Sequence, residues 1–234
     1  MGQDLMFDRS IKLLGPEAMD KLNHATVMVV GLGGVGSYSA ESLARLGVGN
    51  LIIIDGDTIE ETNLNRQLFA LHSTLGKAKV DVAKARLLDI NPKLNLICLN
   101  QFLKAEDIEE AFKEYHPDFV IDAIDTITTK IALIKWCQKK HIQEIVCAGT
   151  GNKLDPQQLQ IVGLNQTKED PVCRKLRELA KKEGLILSQI RVIYSLEKPL
   201  QDFNSGNRTP SSVIFVPATA GLLASTYFLK TFLE

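Results

Sequence analysis

The sequence predicts an α/β fold, a doubly wound and mostly parallel sheet with an antiparallel C-terminal extension. Three observations carry that expectation. From Thr26 to about Gly151, short runs of β-branched and apolar residues alternate with helical patterns, as expected of parallel strands buried on both faces. A glycine-rich turn joins the first of these runs directly to a helix. Beyond Asn152, two alternating runs, Leu159–Val162 and Arg191–Leu196, read as strands outside the β-α alternation, which suggests antiparallel pairing.

Composition excludes several classes. A chain of 234 residues with 45% hydrophobic and 24% charged residues is ordinary for a soluble globular protein and long enough for a core without staples. A net charge of -1 argues against a generic polyanion binder, so any nucleic-acid surface must be a local patch. The four cysteines, Cys98, Cys137, Cys147 and Cys173, form no CxxC pair, so no structural zinc is expected. The opening MGQDLMFDRS has no apolar core for a signal peptide and no Ser or Thr at the sixth position for myristoylation. The expected compartment is the cytoplasm. Ser211 to Leu229 carries no charge and is about long enough to span a bilayer. Pro217, Gly221 and several small polar residues instead favour a strand over Ser212–Val216 followed by a buried helix. No stable membrane insertion is expected, and C-terminal membrane association is the lesser alternative.

The chain divides into an N-terminal arm (1–25), a core (26–151) and an extension of the same domain (152–234). The arm is amphipathic in parts, broken at Gly15-Pro16, and carries Arg9 and Lys12. Thr26–Val30 is the first strand. Gly31, Gly33, Gly34 and Gly36 follow in a GxGxxG spacing before a helix to about Leu46, the Rossmann-like context in which backbone N–H groups and a helix N-terminus receive phosphate. The second strand ends in Asp55, about 20 residues beyond the glycines, where an acid can bind ribose hydroxyls.

The polar loop that follows holds Asp57, Glu60, Asn63, Asn65, Arg66 and Gln67. A nicotinamide ring needs an apolar floor; a guanidinium and amides suit a triphosphate and a transferring phosphoryl centre. A helix is expected from Ser73, as N-cap, to Asp89, with Lys79 among its basic residues. Further elements are a strand at Asn95–Leu99, a surface helix at Glu106–Tyr115, a strand at Phe119–Asp122, a helix at Thr126–His141 and a strand at Ile145–Ala148. The fourth strand runs into Asp122-Ala-Ile-Asp125, at the sheet end where α/β folds bind ligands. Asp125 is a candidate Mg²⁺ ligand against phosphate oxygens. Asp122 is either a ligand contact or a loop cap. A helix over Asp170–Glu183 carries Arg174, Lys175, Arg177, Lys181 and Lys182. It reads as a solvated amphipathic face or as a patch for a phosphate backbone. The polar stretch Gln201–Pro210 reads as a loop.

Taken jointly, GLGGVG, DGDTIEETNLNRQ, GKAK and DAID resemble the ubiquitin-activating-enzyme-like adenylation family over residues 7–151. That resemblance implies that the glycines and Asp55 hold the adenosine of ATP, and that Asn63, Arg66 and Lys79 contact phosphates. It also implies that Asp125 positions Mg²⁺ and that Arg9 reaches the ATP of the partner in a homodimer. Sulfur-carrier activators of the family usually carry two CxxC zinc pairs, absent here. The only second-half cysteine for a thioester is Cys173. DPVCRKLRELAKKEG, VIYSLEKP and GNRTPSSVIFVPATAGLLAS look like its tRNA threonylcarbamoyladenosine dehydratase branch. The branch implies attack of the threonyl carboxylate on the α-phosphorus of ATP, then ring closure by the carbamoyl amide to a hydantoin-type base. A tRNA substrate follows, with a sulfur-transfer protein as a further partner; nothing in the residues speaks for a monovalent cation. Other readings are an activator of a ubiquitin-like or sulfur-carrier C-terminus, an NAD-dependent oxidoreductase, and a non-enzymatic interaction protein.

Overall fold

The computed structural model describes residues 5–168, 170–200 and 211–234; the loop expected over Gln201–Pro210 lies outside them. Seven strands form one sheet: β1 (Thr26–Val30), β2 (Asn50–Ile54), β3 (Asn95–Leu99), β4 (Phe119–Asp122), β5 (Gln143–Cys147), β6 (Leu159–Gly163) and β7 (Arg191–Ser195). Their order is β3-β2-β1-β4-β5-β7-β6. Every neighbouring pair is parallel except β6 with β7, as the alternating tail predicts. The winding reverses between β1 and β4, so their C-terminal ends border a crevice.

Eight α-helices are described: α1 (Asp8–Leu14), α2 (Pro16–His24), α3 (Gly36–Leu46), α4 (Lys79–Ile90), α5 (Ile108–Ala111), α6 (Ile127–Lys140), α7 (Pro171–Lys182) and α8 (Phe215–Leu233). Three expectations need correction. The helix expected from Ser73 starts at Lys79: His72–Thr74 is an isolated 3-10 turn, Gly76 takes a φ of 77°, and Ala78 is held extended by bridging Thr58. The helix expected over Glu106–Tyr115 shrinks to a 3-10 turn at Ala105–Asp107 and the single turn of α5. Ile108 and Phe112 are nonetheless buried, with Phe112 set edge-on to Trp136 at 5.3 Å. The strand expected at Ser212–Val216 is absent, because helical structure already begins at Phe215.

The apolar C-terminal run covers the sheet. Val216, Pro217, Ala220, Gly221, Ala224, Ser225 and Phe228 form the buried face of α8, at helical spacing. Phe228 packs edge-on against Phe119 of β4 at 5.4 Å. Gly221 lets α8 approach α3 closely, since a Cβ there would lie 2.3 Å from the Val35 carbonyl oxygen. Glycine costs a helix about 1 kcal/mol, less than the roughly 2 kcal/mol gained by burying one large apolar side chain. Among the described residues no helix is long and apolar enough to cross a membrane.

The extension shares its core with the rest of the chain. Ile131, Ile134 and Val146 pack in one cluster with Leu164, Cys173, Leu176 and Tyr194. A buried ion pair, Lys153 Nζ to Asp170 Oδ2 at 2.9 Å with both side chains 2% exposed, ties the segment after β5 to the start of α7. Asp170 also caps α7 by accepting the Cys173 N–H at 2.8 Å.

Candidate nucleotide-binding site

A cavity of about 630 Å³ opens at the point where the winding reverses. Its floor is the glycine turn. Gly31 has a φ of 92°, and a Cβ there would meet the Ala123 carbonyl oxygen at 2.7 Å; the β1 and β4 loops can touch only if this residue is glycine. Gly36 is required by the protein as well, because its Cβ would lie 1.8 Å from the Gly31 oxygen. Gly33 differs: its Cβ would meet nothing nearer than Gln67 Nε2 at 3.9 Å. That position is open towards the cavity.

Gly31, Gly33, Gly34, Asp55, Asp57, Asn63, Arg66, Gln67, Lys79 and Asp125 line this one cavity. Asp55 is fixed by two backbone donors: its Oδ2 accepts the Leu32 N–H at 2.7 Å and its Oδ1 the Asp57 N–H at 2.8 Å. Arg66 uses Nη1 on the Thr62 carbonyl (2.7 Å) and on Asn65 Oδ1 (2.9 Å), and its other donors have no protein partner among the described residues. Lys79 is buried, with Nζ 2.7 Å from Asp57 and 3.7 Å from Asp55. Asn63 is also buried and accepts the Glu60 N–H. Asp125 is exposed at the end of β4 and accepts the Thr126 hydroxyl at 3.3 Å.

Other sequence candidates lie elsewhere. Gly36, the first residue of α3, does not line the cavity. Asn65 does not line the cavity; it accepts from Arg66 and donates to the Ser212 carbonyl at 2.9 Å, joining Arg66 to the segment before α8. Arg9 is exposed on α1 and lines nothing in its own chain. Asp122 is fully buried, ion-paired with Lys130 at 2.8 Å, and accepts the Ile124 N–H. Its place is structural: it fixes the loop after β4, and it does not line the cavity. Burial raises its carboxyl above the usual range, with Lys130 opposing. Nearby, burial and then the Asp122 charge push Glu144 up to about 8.

The sequence reading missed Lys130, whose stem lines the cavity. It stands eight residues after Asp122, and only the packing of α6 against β4 pairs them. It also missed Phe102, Leu103 and Ile124 as apolar lining, and Thr150, Val172, Ser212 and Pro217, the last of which lies against Gly34. No thiol is poised for attack. Cys147 touches the cavity, but burial pushes its pKa up to about 12, and burial with Asp170 does the same to Cys173; a nucleophilic cysteine needs the opposite shift.

The basic helix α7 divides. Arg177 is spent on Thr167, whose carbonyl and hydroxyl it bonds. Lys175 and Lys182 both pair with Glu178. Arg174 and Lys181, seven residues apart on the exposed face, form no ion pair among the described residues.

The fixed Asp55, the polar lining and the glycine floor of one cavity suit a nucleotide. The chain belongs to the ThiF family, whose model matches residues 7–231. It is 40% identical over 242 residues to a tRNA threonylcarbamoyladenosine dehydratase of Bacillus subtilis, covering 97% of this chain and 94% of the relative. The Escherichia coli tRNA N6-threonylcarbamoyladenosine dehydratase, solved in complex with ATP, superposes with a TM-score of 0.91 at 32% identity, covering 97% of this chain and 93% of that one. A molybdopterin-synthase adenylyltransferase of Haemophilus influenzae is 32% identical over 157 residues, 66% of this chain and 63% of that protein.

Proposed function

We propose that the protein is an ATP-dependent tRNA threonylcarbamoyladenosine dehydratase. The observation that carries this reading is the meeting of Arg66, Lys79 and Asp125 above the glycine turn in one cavity. The two relatives of nearly full-length match supply the substrate.

ATP enters with its base against Phe102, Leu103 and Ile124 and its ribose at Asp55, whose two backbone bonds hold it still. The phosphates lie over the turn, where unpaired N–H groups and the α3 dipole favour negative charge. The threonyl carboxylate attacks the α-phosphorus, and the bond to pyrophosphate breaks. Negative charge grows on the phosphoryl oxygens and the leaving group, and Arg66 and Lys79 offset it. The carbamoyl amide nitrogen then attacks the acyl carbon, AMP leaves, and the ring closes; no protein nucleophile is needed. Asp125, an exposed carboxylate lining the cavity, would hold a Mg²⁺ ion together with the nucleotide. Bound there, the ion supplies charge neutralisation.

Arg174 and Lys181 offer phosphate contacts for tRNA. Arg9 reaches the partner's cavity in a homodimer, in keeping with its exposed place on α1. The reading places the enzyme in the cytoplasm with its tRNA. Ring closure consumes no sulfur donor, so a sulfur-transfer partner would serve a separate reaction.

The test is AMP and pyrophosphate release with tRNA bearing the threonylcarbamoyl group. Release with that tRNA and none with unmodified tRNA is expected; release dependent instead on a carrier protein's C-terminus would establish the second reading, for which the partial match to a molybdopterin-synthase adenylyltransferase is the weaker support.

A further inference from the structure

Two carboxylates face Lys79, and they are not equivalent. Asp55 is 9% exposed in its side chain, and both of its oxygens are held by backbone amides. Asp57 is 52% exposed, and its carboxylate has no partner but Lys79 among the described residues. The lysine side chain is only 6% exposed, so its ammonium needs a counter-charge at all times. Asp57 supplies it at 2.7 Å, against 3.7 Å for Asp55. The backbone beneath is independently fixed. The Lys79 N–H donates to the Asp57 carbonyl at 3.0 Å, the Ile59 N–H to Lys77 at 2.9 Å, and Thr58 bridges Ala78. The Asp57 side chain can therefore turn towards water without moving the start of α4.

We propose that Asp57 is a positioning residue, a placeholder anion that holds Lys79 towards the cavity before nucleotide arrives and takes it back as pyrophosphate leaves. This rests on the reading that Lys79 contacts phosphate. A phosphate oxygen displaces Asp57 at small cost, because the freed carboxylate is already half in water, whereas Asp55 could not be displaced without breaking its backbone bonds. When pyrophosphate departs, Asp57 competes for the ammonium and speeds release. A direct nucleotide ligand would behave in the opposite way, since its removal weakens binding.

The experiment measures Mg-ATP and Mg-pyrophosphate affinity by calorimetry, and steady-state kinetics, for the full chain and for Asp57→Asn, Asp57→Glu and Lys79→Met. With the competing charge gone, Asp57→Asn is expected to bind pyrophosphate about three- to fivefold tighter, the range of a half-exposed ion pair. Its KM for ATP and its kcat should fall together, and its melting temperature should rise more than the wild type's on adding pyrophosphate. Asp57→Glu should restore wild-type values. Weaker or unchanged pyrophosphate binding by Asp57→Asn, while Lys79→Met loses binding at least tenfold, overturns the placeholder and leaves the phosphate role of Lys79 standing. Undiminished binding by Lys79→Met overturns both.

Discussion

At the β1–β4 end of the sheet, polar side chains line one cavity: Arg66 keeps donors with no protein partner among the described residues, Asp125 stands exposed, and Gly33 leaves its position open. In the extension the same residue types are turned on one another. Lys153 and Asp170 are sealed together, Arg177 is bound to Thr167, and Glu178 occupies two lysines. The first region holds its polar groups ready for a ligand. The second uses most of them to fix α7, whose first turn contributes Val172 to the cavity lining. Polar groups lining a cavity and polar groups paired with one another thus occupy different regions of one sheet.

That contrast can be broken most severely at Arg66. Arg66→Ala should lower kcat/KM for tRNA-dependent AMP formation by about a thousandfold, the range for an arginine that offsets phosphoryl charge. Its melting temperature should stay near wild type, because Nη1 gives up only bonds within the loop. In the extension the expected loss is of stability. Lys153→Met strands the buried Asp170 and should cost about 3–5 kcal/mol in urea unfolding.

The buried acid between the regions adds a pH signature. Glu144 titrates near 8 in the folded protein and near its ordinary value unfolded, so the native state binds the extra proton between those limits. Stability is therefore lost as pH rises from about 4.5 to 8. Glu144→Gln should gain on wild type over that window, on the order of 4 kcal/mol by pH 8 from the size of the shift. An equal difference at pH 5 and pH 8 would contradict this.

The mildest effect falls on the exposed face of α7. Arg174→Glu with Lys181→Glu should weaken tRNA binding about tenfold and reduce the slope of log affinity against log salt by about two, leaving ATP affinity intact. An Arg177 variant should lose stability before it loses RNA.

Much of this division could be read from the chain because its signals are local. The strand-turn-helix glycines, Asp55 at the strand end and the polar loop after it are contiguous sequence signals, and the structure brings Gly31, Gly33, Gly34, Asp55, Asn63, Arg66 and Gln67 to one cavity. What escaped depended on distant packing. Asp122 carries the same strand-end signal as Asp125, and only α6 decides that Lys130 buries it. Ser73 has the composition of a helix cap, yet pairing of Ala78 with Thr58 keeps the chain extended to Lys79. Five cations on α7 looked alike in sequence; Thr167 and Glu178 distinguish them. The length of an uncharged run could not say that Phe228 would rest on Phe119.

The proposed reaction is adenylation, in this cavity, of a carboxylate carried by tRNA. Nucleoside mass spectrometry of threonylcarbamoyl-modified tRNA, incubated with the protein and Mg-ATP, tests it most directly. Conversion of the modified adenosine to a species lighter by one water, dependent on ATP and lost in Arg66→Ala, is expected. An unchanged nucleoside, with ATP bound and the protein folded, would contradict it.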